Sequence, residues 1–223
     1  MNLSDIIYEV GELGLQNARL DNDYRNFVNR AIKAIAMRRN WTFMHDRIQV
    51  TVPAGQTSVV LPATFKQLAV EKSPITYTDD ATGRNIPVLV KTRAEIERQG
   101  YAIGYPYSRP LCQVFLELNA SGTNPGLWVL NLPNADPNTQ DVTFTISCFT
   151  LPVALVLGSD SNAMTNHGEL ADAIINKTKS IAYFSEDTTD KRGVEASRLY
   201  EVAYRTACYE DATQATGGQS IHM

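Results

Sequence analysis

The chain has 223 residues, 43% of them hydrophobic and 20% charged, which allows one or two modules with a proper core. Its 20 basic and 24 acidic residues leave a net charge of −4, a poor balance for a protein that grips nucleic acid by neutralising phosphates. No apolar run approaches the roughly 18 residues that span a membrane, and "MNLSDIIYEV" lacks the basic leader and apolar core of a secretory signal, so neither membrane insertion nor general export is expected.

Residues 3 to 15 read as a short helix, and residues 21 to 40, "DNDYRNFVNRAIKAIAMRRN", as a long one capped by Asp21 or Asn22. Tyr24, Phe27, Val28, Ala31 and Ile35 fall at i, i+3, i+4, i+7 and i+11, a single apolar stripe, with Arg25, Asn29 and Lys33 opposite. Arg38 and Arg39 place positive charge at the helix C-terminus, where the macrodipole favours it, and Trp41 and Phe43 follow as an aromatic plug.

The period then falls to two. Ile48, Val50 and Val52 alternate with Arg47, Gln49 and Thr51, and after "PAGQT" Val59 and Leu61 resume, a pattern that predicts a β-hairpin ended by Pro62, which has no N–H for a ladder. A separate segment, "ATFKQLAVEKSPITYTD", follows. Residues 91 to 99, "KTRAEIERQ", predict a short helix stopped by Gly100. Strands are predicted at 111 to 118, 126 to 132 and 142 to 149, joined by turn-rich linkers as an antiparallel meander. In the last of them Val142, Phe144, Ile146 and Cys148 alternate with Thr143, Thr145 and Ser147, which predicts one buried face.

From about residue 166 the period returns to 3.6, with Leu170, Ile174, Ile181 and Phe184 on one helix and "KRGVEASRLYEVAYRTACYEDATQAT" forming the next. Ile175, Ala182, Leu199, Tyr200, Tyr204 and Cys208 spread around this helical hairpin, so more than one face needs a partner: the 21 to 40 helix and another subunit. The order of elements gives an α+β fold, an antiparallel helix bundle of N- and C-terminal helices (1–45 and 160–215) carrying an inserted antiparallel β domain (46–155). Residues 216–223 form an aperiodic tail, expected to be flexible until a partner orders it.

Residues with chemical potential are sparse. His45, His167 and His222 stand alone, without zinc spacing, so no metal site is expected. Cys112, Cys148 and Cys208 are odd in number and lie among apolar neighbours, the pattern of buried free thiols. No phosphate-binding glycine loop or dinucleotide fingerprint occurs, so no cofactor is expected. Glu95 with Glu97 and Glu117 with Asp141 are the nominal carboxylate pairs a wall-degrading enzyme would use. Tyr101, Tyr105 and Tyr107 crowd the Gly/Pro-rich "GYAIGYPYSRP", a surface suited to a protein interface or to sugar stacking. With Tyr200, Tyr204, Ile221 and Met223 they make up the candidate partner interface. A tail-associated carbohydrate-binding or cell-wall-degrading protein is the alternative these residues leave open.

The ordered set "RRNWTFM" (38 to 44), Leu61-Pro62 followed by "FKQL", "GYP" (104 to 106), "LNLPNADP" (130 to 137), Leu151-Pro152 and two long helices resembles the head-to-tail adaptor, or connector, proteins of short-tailed bacteriophages. The resemblance spans roughly residues 20 to 210. It implies a non-enzymatic virion protein of the neck, a ring of identical subunits, commonly twelve, docked by its helices on the portal protein. The β part would face a tail or nozzle protein, and the channel would touch DNA only in passing. A ring closed by heterologous contacts needs two different complementary surfaces on each subunit, which fits helices apolar on more than one face.

Overall fold

The structure, a computed structural model, describes residues 3–11, 21–70, 73–79, 84–98, 113–119, 126–132, 141–156, 162 and 164–215. In chain order the elements are α1 (Leu3–Gly11), α2 (Asp21–Arg38), β1 (His45–Val52), β2 (Ser58–Val60), β3 (Phe65–Leu68), β4 (Ile75–Asp79), β5 (Arg84–Lys91), α3 (Arg93–Arg98), β6 (Gln113–Leu118), β7 (Trp128–Asn131), β8 (Val142–Thr150), α4 (Ala171–Glu186) and α5 (Lys191–Ala215). The fold class is α+β, and the elements form two compact units: Met1–Met44 with Leu151–Met223, and His45–Thr150.

In the helical unit α4 is the central element, with α5 folded back along it and α1 and α2 packed against it. The expected α2 stripe is buried, and Ile32 and Ala36 widen it. Ile6, Ile35 and Ile174, one from each of α1, α2 and α4, are fully buried, and each contributes roughly 2 kcal/mol through its apolar area. The α4–α5 turn is set by Asp190, whose carboxylate accepts the Arg192 N–H at 2.8 Å as an N-cap. One turn later α5 comes very close to α4: a Cβ on Gly193 would lie 2.7 Å from the Phe184 ring, so any other residue there requires that ring to shift. The chain returning from β8 is fixed to α2 by Asn29, which donates to the Leu155 carbonyl at 3.0 Å and accepts the Leu155 N–H at 2.8 Å.

In the β unit the strands form one mixed, nearly closed sheet in the order β1-β8-β4-β5-β6-β7-β2, with β3 also on β8. β1 and β2, the two ends of that path, face each other across the remaining gap. Val50, Val52, Leu61, Phe65, Ile75, Val88, Val114, Leu130, Phe144 and Ile146 fill the interior, and the alternation expected of β8 is present, with Phe144, Ile146 and Cys148 inward. The Cys148 thiol is free, and burial pushes its pKa up to about 11.

Three expectations are corrected here. The sheet is not purely antiparallel, because β5 and β6 run parallel through the crossover helix α3. β1 and β2 are not a hairpin: β1 pairs with β8 and β2 with β7. The "PAGQT" connection is a corner, closed by a Gln56 N–H to Pro53 carbonyl bond with Gly55 at φ 81°, that carries the chain from one end of the sheet path to the other. Nor do the last three strands make a meander, for β6 and β7 pair as expected but β8 crosses to β1, β3 and β4. Period-two alternation identifies a strand and its buried face and says nothing about its partner. The β4–β5 hairpin has no prediction behind it, because Pro87, opposite Thr76, interrupts the run that would have marked it.

Candidate protein interface

The end of α2 is tied to α5 by two consecutive arginines, Arg38 and Arg39. Arg38 makes a two-pronged ion pair with Glu201, at 2.7 and 3.0 Å, and donates to the Tyr200 hydroxyl at 3.2 Å. Its guanidinium carbon lies 4.3 Å from the centroid of the Tyr204 ring, a cation–π contact. The Glu201 bond holds the Arg38 pKa above its usual value and, in return, Arg38 holds the Glu201 carboxyl below the usual carboxylate range. Burial pushes the Tyr204 phenol up, and the Tyr200 phenol likewise.

Arg39 turns the other way and reaches Asp211 at 3.1 Å. Asp211 is 1% exposed, and it also accepts the backbone N–H of Thr42 at 3.0 Å and the Thr42 hydroxyl. This buried carboxylate thus caps the short 3₁₀ turn Thr42–Met44 from across the bundle. Trp41 is fully buried beneath Arg39, packs edge-on against Tyr204 at 5.8 Å, and Phe43 stacks on His167 at 3.8 Å. The charged helix end over an aromatic plug is therefore present, and its two arginines extend further than the dipole argument required.

Of the residues singled out beforehand, Tyr101, Tyr105, Tyr107, Ile221 and Met223 lie outside the described residues, as do Cys112 and His222. Tyr200 and Tyr204 are 4% and 8% exposed. Their spacing puts them on the same face of α5 as Gly193, Ala196 and Ala207, so their rings are covered by this chain's own bundle. Asp211 was missed, although the sequence carries a signal: an acid eleven residues after Tyr200 falls on the same buried face and demands a cation.

Three of the four nominal carboxylates have local tasks, and the side chain of Glu97 lies outside the described residues. Glu95 closes a capping box on α3, accepting the Thr92 N–H and hydroxyl at 2.7 and 2.8 Å while its own N–H donates back at 3.3 Å. Glu117 accepts from Arg93 at 3.4 Å, and Asp141 accepts the Ala54 N–H at 2.8 Å, steadying the "PAGQT" corner. Among the described residues no cluster of three or more His, Cys, Asp or Glu could hold a metal ion, and no helix is long and apolar enough to cross a membrane.

Among the described residues of the helical unit, several apolar side chains stay exposed, and on α5 three of them share one side. Leu199, Val202 and Tyr209 are 41%, 57% and 68% exposed, on the side away from the buried face.

The family model of the SU10 adaptor protein matches residues 1–219, essentially the whole chain. The chain belongs to the SU10 adaptor protein family. It is a phage head-tail adaptor, a structural protein of the virion. No curated protein matches it. For an adaptor of this family the Arg38–Tyr200–Glu201 and Arg39–Asp211 ties have a clear mechanical meaning: they fix α5 on α2, and with it the direction in which the open side of α5 points.

Proposed function

We propose that this adaptor assembles as a ring, commonly of twelve subunits, that joins the portal protein to the tail, closes the packaged head and passes DNA on ejection. The observation that carries the reading is the aligned apolar row on α5, left open in a subunit of a structural virion family. A monomer has no use for such a row, and a closed ring does. The helical unit docks on the portal and the β unit faces a tail or nozzle protein. The tyrosines Tyr101, Tyr105 and Tyr107 and the tail residues Ile221 and Met223 contact those neighbours. Tyr200 and Tyr204 serve the interface at second hand, by holding Arg38. The mechanism is interface geometry, without catalysis or cofactor, and the net charge of −4 suits a channel wall that DNA slides past.

Electron microscopy of the protein incubated with its cognate portal tests this: added density stacked on the portal ring is expected, and bare portal rings would contradict it. Deletion of 216–223 is expected to weaken attachment to the portal while leaving the fold intact, because an aperiodic polar tail contributes little to the subunit's own core. Undiminished attachment of the truncated protein would remove the tail from the account.

A further inference from the structure

The chain crosses between the two units twice, at Met44–His45 and at Thr150–Leu151. On the β side the two crossings start side by side. β1 and β8 are antiparallel, with His45 the register partner of Phe149, which sets their Cα atoms about 5 Å apart. The His45 Nε2 and the Ser147 hydroxyl are 2.8 Å apart and hydrogen-bonded, so the first residue of the β unit is held by its last strand.

On the helical side, each crossing is fastened to residues of the helical unit itself. Trp41 and Met44 of the incoming chain are buried. Between them, Thr42 gives its backbone N–H and its hydroxyl to Asp211 of α5, and Phe43 stacks on His167 with ring centroids 3.8 Å apart. In the outgoing chain Leu155 is buried and exchanges two hydrogen bonds with Asn29 of α2, while Asn162 donates to the Val153 carbonyl at 2.9 Å. None of these fastenings uses a residue of 45–150. The interiors divide in the same way: Val52, Leu61 and Phe144 are fully buried in the β unit, and Ile6, Ile35 and Ile174 in the helical unit.

A contiguous segment with adjacent ends and a core of its own is the arrangement in which domain insertion is tolerated. We infer that the β unit is a self-contained insert that the helical unit carries without depending on it. Attachment to the portal then resides wholly in Met1–Met44 with Leu151–Met223, and the choice of tail or nozzle protein resides wholly in His45–Thr150. Substitutions in the β unit can change the tail-side partner while the portal-side contact stays as it is. The inference rests on the assembly proposed above and assigns its two contacts to separable parts of one chain.

The first experiment uses the full-length protein and reads amide hydrogen exchange, which reports the opening of each cooperative part separately. Phe144→Ala should accelerate the slowest amides of β1, β4 and β8 by about a hundredfold or more, as deletion of a fully buried ring does, and leave those of α4 and α5 unchanged. Equal acceleration of both groups would overturn the self-contained insert. The second experiment replaces residues 45–150 by a Gly/Ser linker of about four residues, enough at about 3.3 Å per residue to join ends this close. The shortened chain should retain a helical far-UV spectrum, bind the cognate portal within about threefold of the full-length affinity, and no longer bind the cognate tail or nozzle protein. Loss of the helical spectrum would overturn the insert directly. A helical chain that no longer binds the portal, or that still binds the tail protein, would overturn the division of contacts. A full-length protein that does not bind the portal would remove the assembly proposed above, and hydrogen exchange would still decide whether the insert stands on its own.

Discussion

In the β unit the exposed apolar side chains Val60, Val70, Leu89, Val90 and Leu118 belong to β2, the bend after β3, β5 and the end of β6, whereas in the helical unit, besides Tyr8, Met37, Val153, Val156 and Val194, a set of three, Leu199, Val202 and Tyr209, lines up on one helix. Scattered exposed apolar residues are normal on any soluble protein. A row at helical spacing is different, because it presents a continuous surface that a second helix can cover. The outer side of β1, β8 and β4 makes the contrast sharper. It carries Arg47, Gln49, Thr51, Thr143, Thr145, Thr76 and Thr78, a polar face, with Thr51 and Thr143 bonded hydroxyl to hydroxyl at 2.9 Å. The interior of the β unit is filled by its own sheet, whereas α5 in the helical unit keeps an exposed apolar row.

Separate cores should fail separately, and the largest effects test that. Trp41→Ala removes a fully buried ring from the helical unit and Phe144→Ala does the same in the β unit, each at a cost of about 3–5 kcal/mol. In guanidinium titrations the Trp41 variant should lose helical circular dichroism early while the β unit persists, and the Phe144 variant should show the reverse order. A single shared transition in both variants would mean that the two units form one cooperative block and would break the comparison.

Asp211→Ala comes next. It strips the acceptor from Arg39, the Thr42 N–H and the Thr42 hydroxyl together, at about 3 kcal/mol for a buried charge network losing one partner. Asn in its place retains an acceptor for Thr42 and should recover part of that loss in the same titration. Gly193→Ala is expected to cost about 1–3 kcal/mol by overpacking against Phe184. A neutral result there would show that the α4–α5 hairpin can open without loss and so cannot hold the α5 row in one direction.

The smallest effect is electrostatic. Arg38 holds the Glu201 carboxyl below its ordinary range, so the pair's contribution is fully present above the unfolded value of about 4.3 and is lost as pH falls through the lower folded value. Both side chains are over two-fifths exposed, which limits the contribution to under about 1 kcal/mol. Thermal melts taken downward from about pH 5 should therefore show a slightly steeper fall for the wild type than for Glu201→Gln. Parallel curves would mean that Tyr200 and Tyr204, and not Glu201, fix Arg38.

Much of the helical unit is legible in the sequence because its helices announce themselves locally: Tyr24 through Ile35 make a stripe, and that stripe is buried. The sheet is legible only strand by strand. Gln56 and Gly55 predict a turn equally well whether the chain continues into a hairpin or, as here, rounds a corner to a distant strand, and no local signal separates the two. The interface is the least legible part. Tyr200 and Tyr204 look like partner residues by type, and their register on α5 buries them, while Val202 and Tyr209 read as ordinary helix filler until the buried face is known and Leu199 stands only as one of several apolar positions in need of a partner. The short interval between Tyr200 and Val202, on opposite sides of one helix, separates what the chain uses itself from what it offers.

The central claim, that the offered face builds a ring, is tested most directly by the mass of the full-length protein in solution, alone and mixed with its cognate portal. The account predicts a closed assembly of roughly twelve subunits on the portal ring, in keeping with heterologous closure. A protein that stays monomeric in both samples would contradict it.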